Sequence, residues 1–207
     1  MNKVFLFPGQ GSQFVGMARD LFDEFQFAKD RFEQAENILG YDLAKIAFEG
    51  PDDILKQTEF TQPSIFVHSV IINDFLSSKG IFPSAVAGHS LGEFSALVSA
   101  QVLSFEDALS IVKVRAKEMA KAGDLQPGSM AAILGANQDQ LYAICNQNGI
   151  VLPANLNAPG QVVISGEFNA VANAITTAKE IGINRALPLN VSGAFHSPLM
   201  TPARVPL

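Results

Sequence analysis

The segment Gly88-His89-Ser90-Leu91-Gly92 constrains this chain more than any other. A short apolar run, Ala85-Val86-Ala87, precedes it, and a helix-like stretch from Glu93 to Ala100 follows. That order predicts a strand, a sharp turn and a helix, with a serine at the apex. Glycine two residues to either side of the serine lets strand and helix pack closely, where a Cβ would collide. Such a turn lifts the Ser90 hydroxyl above a sheet and aims backbone N–H groups at the space beside it. Donors of that kind, backed by the helix dipole, can hold the negative oxygen of a tetrahedral acyl intermediate. The same pentapeptide also fits an ordinary strand-to-helix turn whose serine caps the helix.

A serine hydroxyl needs a base to take its proton, and the chain has three histidines. His89 neighbours the serine, so its side chain points away from where a base should sit; it reads as a supporting residue. His68 lies among Ile65, Phe66, Val67, Ile71 and Ile72 and reads as a core or helix-surface histidine. His196 follows a predicted strand, on a loop between Gly193 and Pro198. Loops carry catalytic residues disproportionately, which makes His196 the candidate base, with a plain loop histidine as the alternative.

Arg115 is the second informative residue. On a helix of 100° per residue, Lys113, Lys117 and Lys121 form one stripe and Arg115 falls nearly opposite. Its face carries Ala108, Ile111, Val112, Met119 and Ala122. A cation on an apolar face must find a partner. Two readings stand: a buried ion pair or snorkelling side chain, or a fork that receives a substrate carboxylate. The loop Gly9-Gln10-Gly11-Ser12-Gln13 lacks both the Gly-x-Gly-x-x-Gly spacing and a Gly-Lys-Ser/Thr phosphate cradle. It reads as a tight loop at the carboxyl end of a first strand, Val4–Phe7, with a backbone able to complete an oxyanion site.

The remaining chain predicts a helical region from Val15 to Gly50 and a helix from Thr61 to about Ser78, with Pro63 near its first position. Ser104 and Asp107 form a capping box for a helix ending at Ala122, closed by Gly123. After a linker at 124–128 the rhythm changes. Strands are expected at Ser129–Leu134, Ile150–Asn155, Gln161–Ser165 and Arg185–Val191. Helices are expected from the Asn137 cap to about Asn146 and from Glu167 to Ile181. That β-α-β-β-α-β order is the split βαβ of ferredoxin-like domains. One cysteine in 207 residues excludes a disulfide framework, and Cys145 reads as core filler in a cytoplasmic protein. A net charge of −6 argues against general nucleic-acid binding. No apolar run reaches the length of a membrane span.

Together these pieces resemble the malonyl-CoA:acyl-carrier-protein transacylase family. The matching segments are Phe7–Gln13, Thr61-Gln62-Pro63, Gly88–Glu93, Arg115, Asn157–Gly166 and Phe195-His196-Ser197, in the family's order. The resemblance implies an α/β fold, in which a hydrolase-like parallel-sheet large domain (1–127 plus 192–207) carries an inserted ferredoxin-like subdomain (128–191). It implies Ser90 as the nucleophile that becomes malonylated, His196 as the base, the N–H groups of Gln10 and Leu91 as the oxyanion hole, and Arg115 as the carboxylate site. It implies malonyl-CoA and an acyl carrier protein as partners, as in fatty acid biosynthesis. The Lys113, Lys117 and Lys121 stripe is a candidate docking face for an acidic carrier. No metal or redox cofactor is expected, and no nucleic-acid or membrane partner; the expected state is a monomer. In related polyketide synthase domains, an aromatic–histidine pair near here accompanies malonyl over methylmalonyl selectivity, a pattern that Phe195-His196 matches in part. Family members extend well past the position of Leu207, so the chain is expected to be a fragment or an incomplete large domain. The alternatives are a serine esterase or thioesterase, or an inactive fragment that binds a carrier protein.

Overall fold

The computed structural model describes residues 2–207. The chain is mixed α/β and divides into two compact units, the first running through Lys117 and the second from Glu118 to Leu207. In the first unit, β1 (Val4–Phe7) pairs in parallel with β2 (Ala85–Gly88), in a register of Val4 with Ala85 through Phe7 with Gly88. Between them come α1 (Arg19–Glu24), α2 (Gln26–Leu39), α3 (Leu43–Glu49), α4 (Asp52–Leu55) and α5 (Thr58–Ser78). α6 (Gly92–Ser99) follows β2 directly, and α7 (Phe105–Leu125) comes next.

The phenylalanines of the helical region form its core. The rings of Phe22, Phe32 and Phe48 meet edge-on at centroid separations of 5.0–5.6 Å, the arrangement their quadrupoles favour. Leu43, Leu55, Phe66, Ile71 and Leu109 close the core around them, all fully buried.

α5 starts earlier than expected, at Thr58, so Pro63 lies inside the helix. A helical proline cannot donate to the carbonyl four residues back. Here that carbonyl belongs to Glu59, and the Tyr41 hydroxyl donates to it at 3.4 Å. α7 also overruns its predicted end: Gly123 is helical, and the helix continues to Leu125. A Cβ at Gly123 would press on the Ser192 carbonyl. The glycine therefore serves close approach of the 192–193 loop rather than helix termination. At the other end of α7 the Asp107 N–H donates to Ser104 Oγ at 3.0 Å, and that hydroxyl donates to the Asp107 carboxylate at 2.8 Å.

The second unit continues with β3 (Ser129–Leu134), α8 (Gln138–Cys145), β4 (Val151–Ala158), β5 (Gln161–Gly166), α9 (Phe168–Glu180) and β6 (Arg185–Pro188). A short 3-10 turn (Pro198–Met200) and α10 (Thr201–Arg204) follow. The four strands form an antiparallel sheet in the order β4-β5-β3-β6, which is the ferredoxin-like arrangement read from the sequence. Asn137 caps α8 through a capping box with Gln140. β4 runs beyond Asn155 to Ala158, so the hairpin turn shrinks to Pro159-Gly160, and Gly160 supplies the positive φ of 72°. β6 ends at Pro188 rather than Val191. Ile133, Ile144, Ile164, Val171 and Ala174 fill the space between sheet and helices. Cys145 borders that core, and burial pushes its thiol up to about 11, so it stays protonated near neutral pH.

Candidate active site

Ser90 sits between the end of β2 and the start of α6 with φ at 53°, a left-handed conformation that a non-glycine residue adopts only where its surroundings enforce it. The enforcement is visible in the neighbouring glycines. A Cβ on Gly88 would overlap the backbone of Gly92 and Glu93, and one on Gly92 would overlap the Phe7 and Pro8 carbonyls. A Cβ on Gly9 would strike the His89 carbonyl and ring. Bare backbone at these three positions thus lets the elbow close against the end of β1. The His89 N–H donates to the Phe7 carbonyl at 3.0 Å, tying the turn to that strand. The His89 ring lies against Gly9.

The N–H groups of Gly92, Glu93 and Phe94 turn back onto the carbonyls of His89, Ser90 and Leu91. Among the described residues, the Leu91 and Gln10 N–H groups donate to no backbone carbonyl in the turns and loops. The Leu91 side chain is fully buried, which holds its peptide in place. Gln10 is fixed from the side: its Nε2 donates to Thr58 Oγ1 at 3.4 Å, at the buried start of α5. Ser12 Oγ donates to the Gly9 carbonyl at 2.9 Å and closes the loop.

Arg115 reaches the elbow from α7. Its Nη2 donates to Ser90 Oγ at 3.1 Å and its Nη1 to Gln62 Oε1 at 2.5 Å. The guanidinium also lies 5.8 Å from the centroid of the Phe94 ring. Burial pushes its pKa below the usual arginine range, and the negative charge of Glu93 partly offsets this. Among the described residues Arg115 makes no ion pair. The buried ion pair that the sequence left open is therefore not what holds this cation; its neighbours are an amide, a hydroxyl and a ring. The two hydrogen bonds use two of the five N–H donors a guanidinium carries, which leaves donors for a further acceptor.

Gln62 entered the sequence reading only within the matching segment Thr61-Gln62-Pro63, with no role of its own. It stands within the Thr61-Gln62-Pro63 triple, one turn into α5 and fully buried. The available signal was a polar residue just ahead of the apolar run Ile65-Phe66-Val67.

His196, in the second unit, is exposed and also has a positive φ, 58°. Ser197 holds its turn: Oγ donates to the Ala194 carbonyl at 2.6 Å and accepts from the Leu199 N–H at 3.2 Å. The Phe195 ring points inward, into a core with Met119, Ala122, Met130 and Ala203. His68 lies midway along α5, half-buried, and burial lowers its pKa. It lines a cavity of about 340 Å³ between β1 and α5 with Ser69 and Asn73.

A glycine-bounded elbow thus strains Ser90 beside an arginine anchored by Gln62. The chain belongs to the acyl transferase domain family, whose model matches residues 4–207. Among curated relatives, the malonyl CoA-acyl carrier protein transacylase of Bacillus subtilis (strain 168) is 45% identical over 208 residues, covering 98% of this chain and 66% of the relative. Its counterpart in Staphylococcus aureus (strain COL) is 43% identical over 199 residues, covering 94% and 64%. The chain thus spans just under two thirds of the length of these relatives. Among solved structures, the malonyl CoA-acyl carrier protein transacylase of Coxiella burnetii matches with a TM-score of 0.94 at 40% identity, over 98% of this chain and 66% of that one. A malonyl-transacylase in complex with its type II PKS acyl-carrier protein matches with a TM-score of 0.92 at 43% identity, over 98% and 67%.

Proposed function

We propose that this chain carries the acyl-transfer site of an enzyme moving malonyl groups from malonyl-CoA to the phosphopantetheine thiol of an acyl carrier protein. One observation carries the reading: a half-buried guanidinium with no carboxylate partner among the described residues donates to the oxygen of an elbow serine. A cation so placed suits an acyl group that ends in a free carboxylate, and a neutral acyl group has no use for it. The names of the curated relatives point to the same chemistry.

In the proposed mechanism the malonyl carboxylate docks on Arg115 and displaces its contact with Ser90. His196 takes the Ser90 proton as Oγ attacks the thioester carbonyl. The N–H groups of Gln10 and Leu91 receive the oxyanion, a contribution of about 2.7–4 kcal/mol for one such donor. The tetrahedral intermediate collapses, the carbon–sulfur bond breaks, and coenzyme A departs with the proton from His196. The carrier thiol then gives its proton to His196 and attacks the malonyl-serine ester, and Ser90 regains a proton as it leaves. Base catalysis of this kind supplies roughly 10²–10⁴-fold.

Mass spectrometry of the intact protein after mixing with malonyl-CoA tests the reading. The expected result is one malonyl adduct, absent from Ser90→Ala. Arg115→Ala should lose malonyl loading selectively over acetyl loading, by about tenfold or more, the value of hydrogen bonds to a charged group. Equal losses for both acyl-CoAs would refute the carboxylate role. An adduct that turns over to water but never to a carrier thiol would mark a hydrolase instead.

A further inference from the structure

We propose that Gln62 sets the charge preference of the acyl site by fixing Arg115 with a neutral acceptor, so that the cation stays available to the substrate. This rests on the malonyl-transfer reading above and adds a residue that determines its selectivity.

Arg115 carries donors and no acceptor, so the Gln62 contact must use the amide carbonyl oxygen, as it does. Gln62 is fully buried. It is held by the start of α5, where Thr61 Oγ1 donates to the Leu55 carbonyl at 2.5 Å and Pro63 stiffens the next backbone position. The guanidinium is thereby anchored at Nη1 while Nη2 faces the serine. The hydrogen-bond partners of Arg115 among the described residues, the Gln62 amide and the Ser90 hydroxyl, are uncharged, and so is the Phe94 ring beside it. Glu93 is exposed and forms no ion pair with it among the described residues.

Glutamate at position 62 would satisfy the same geometry equally well, and the anchor alone does not require glutamine. The difference lies in charge. A buried carboxylate there would form an ion pair with Arg115 and repel an incoming malonyl carboxylate. Glutamine supplies the hydrogen bond without adding a negative charge that would compete with the substrate carboxylate. A preorganised, unneutralised cation discriminates between charged and neutral acyl groups.

The test compares kcat/KM for malonyl-CoA and acetyl-CoA, read as Ser90 acylation, in the unsubstituted protein, Gln62→Glu and Gln62→Met. Gln62→Glu should lower the malonyl-to-acetyl ratio by about tenfold or more, the cost of placing like charges together at a buried site. Gln62→Met removes the acceptor at similar volume and keeps the proposal testable if a second buried charge unfolds the start of α5. It should raise the malonyl-CoA KM by about tenfold, the weight of a charge-assisted hydrogen bond, with a smaller change in kcat. An unchanged ratio in Gln62→Glu, or equal losses for both acyl-CoAs in Gln62→Met, would overturn the inference and leave the malonyl-transfer reading standing. Absence of any malonyl adduct on the unsubstituted protein would overturn both.

Discussion

The two units distribute polarity in opposite ways. In the first, the parallel pair β1–β2 leaves Val4 and Leu6 exposed, Leu6 at 76%, while the interior admits Thr58, Thr61, Gln62, Ser64 and Ser95. In the second, the antiparallel sheet buries Ile133 and Ile164 fully and admits Ser165 and Ser197 as its buried polar residues. Buried polar groups cost free energy unless they are hydrogen-bonded, so the first unit accepts a less apolar interior where its elbow and arginine are set. The second unit is built around a closed apolar layer, and its one strained non-glycine residue, His196, sits on an exposed turn. The contrast separates an apolar core that admits polar residues near the elbow from an apolar layer that admits few.

Substitution can break that contrast. The largest effect is expected from Gly92→Ala, whose Cβ lands on the Phe7 and Pro8 carbonyls. It should destabilise the first unit by on the order of 3 kcal/mol or more and abolish acylation of Ser90. Hydrogen exchange resolved along the chain would show loosening in β1, β2 and α6. Ile133→Ala, in the apolar layer, should cost about 3 kcal/mol, with faster exchange confined to the second unit. Equal loosening of both units by either variant would dissolve the division. Asn137→Ala removes the cap of α8 and should cost about 1 kcal/mol, seen as a small drop in thermal midpoint and faster exchange in that helix alone.

Legibility in the sequence followed the range of the interactions. β1, β3 and α8 were readable because their signals are local: an apolar run, or a cap with its partner three residues on, as at Asn137 and Gln140. The elbow was readable because its glycines flank it within five residues. The start of α5 was hidden because its N-cap, Gln57, makes no side-chain capping bond. The continuation of α7 through Gly123 was hidden because the reason for that glycine lies on a loop far along the chain. The same holds for the site. Ser90 and Arg115 announce themselves by motif and by a misplaced charge. Gln62 lies 53 positions from Arg115, and nothing local marks the pairing. The positive φ of His196 stands beside a Ser197 hydroxyl that hooks back to the Ala194 carbonyl, a bond that follows from no periodicity.

The glycine inside α7 has one more consequence. A helix-propensity scale marks Gly123 as the weakest link of its segment, by roughly 1 kcal/mol relative to alanine. The fold uses that weak link as a notch into which a neighbouring peptide carbonyl settles. Local and tertiary preferences therefore oppose each other at a single atom: a methyl group there would strengthen the isolated helix and push away the strand-to-turn segment that leads to His196. Engineering this chain for stability from helix statistics alone would choose that position early and damage the segment resting on it.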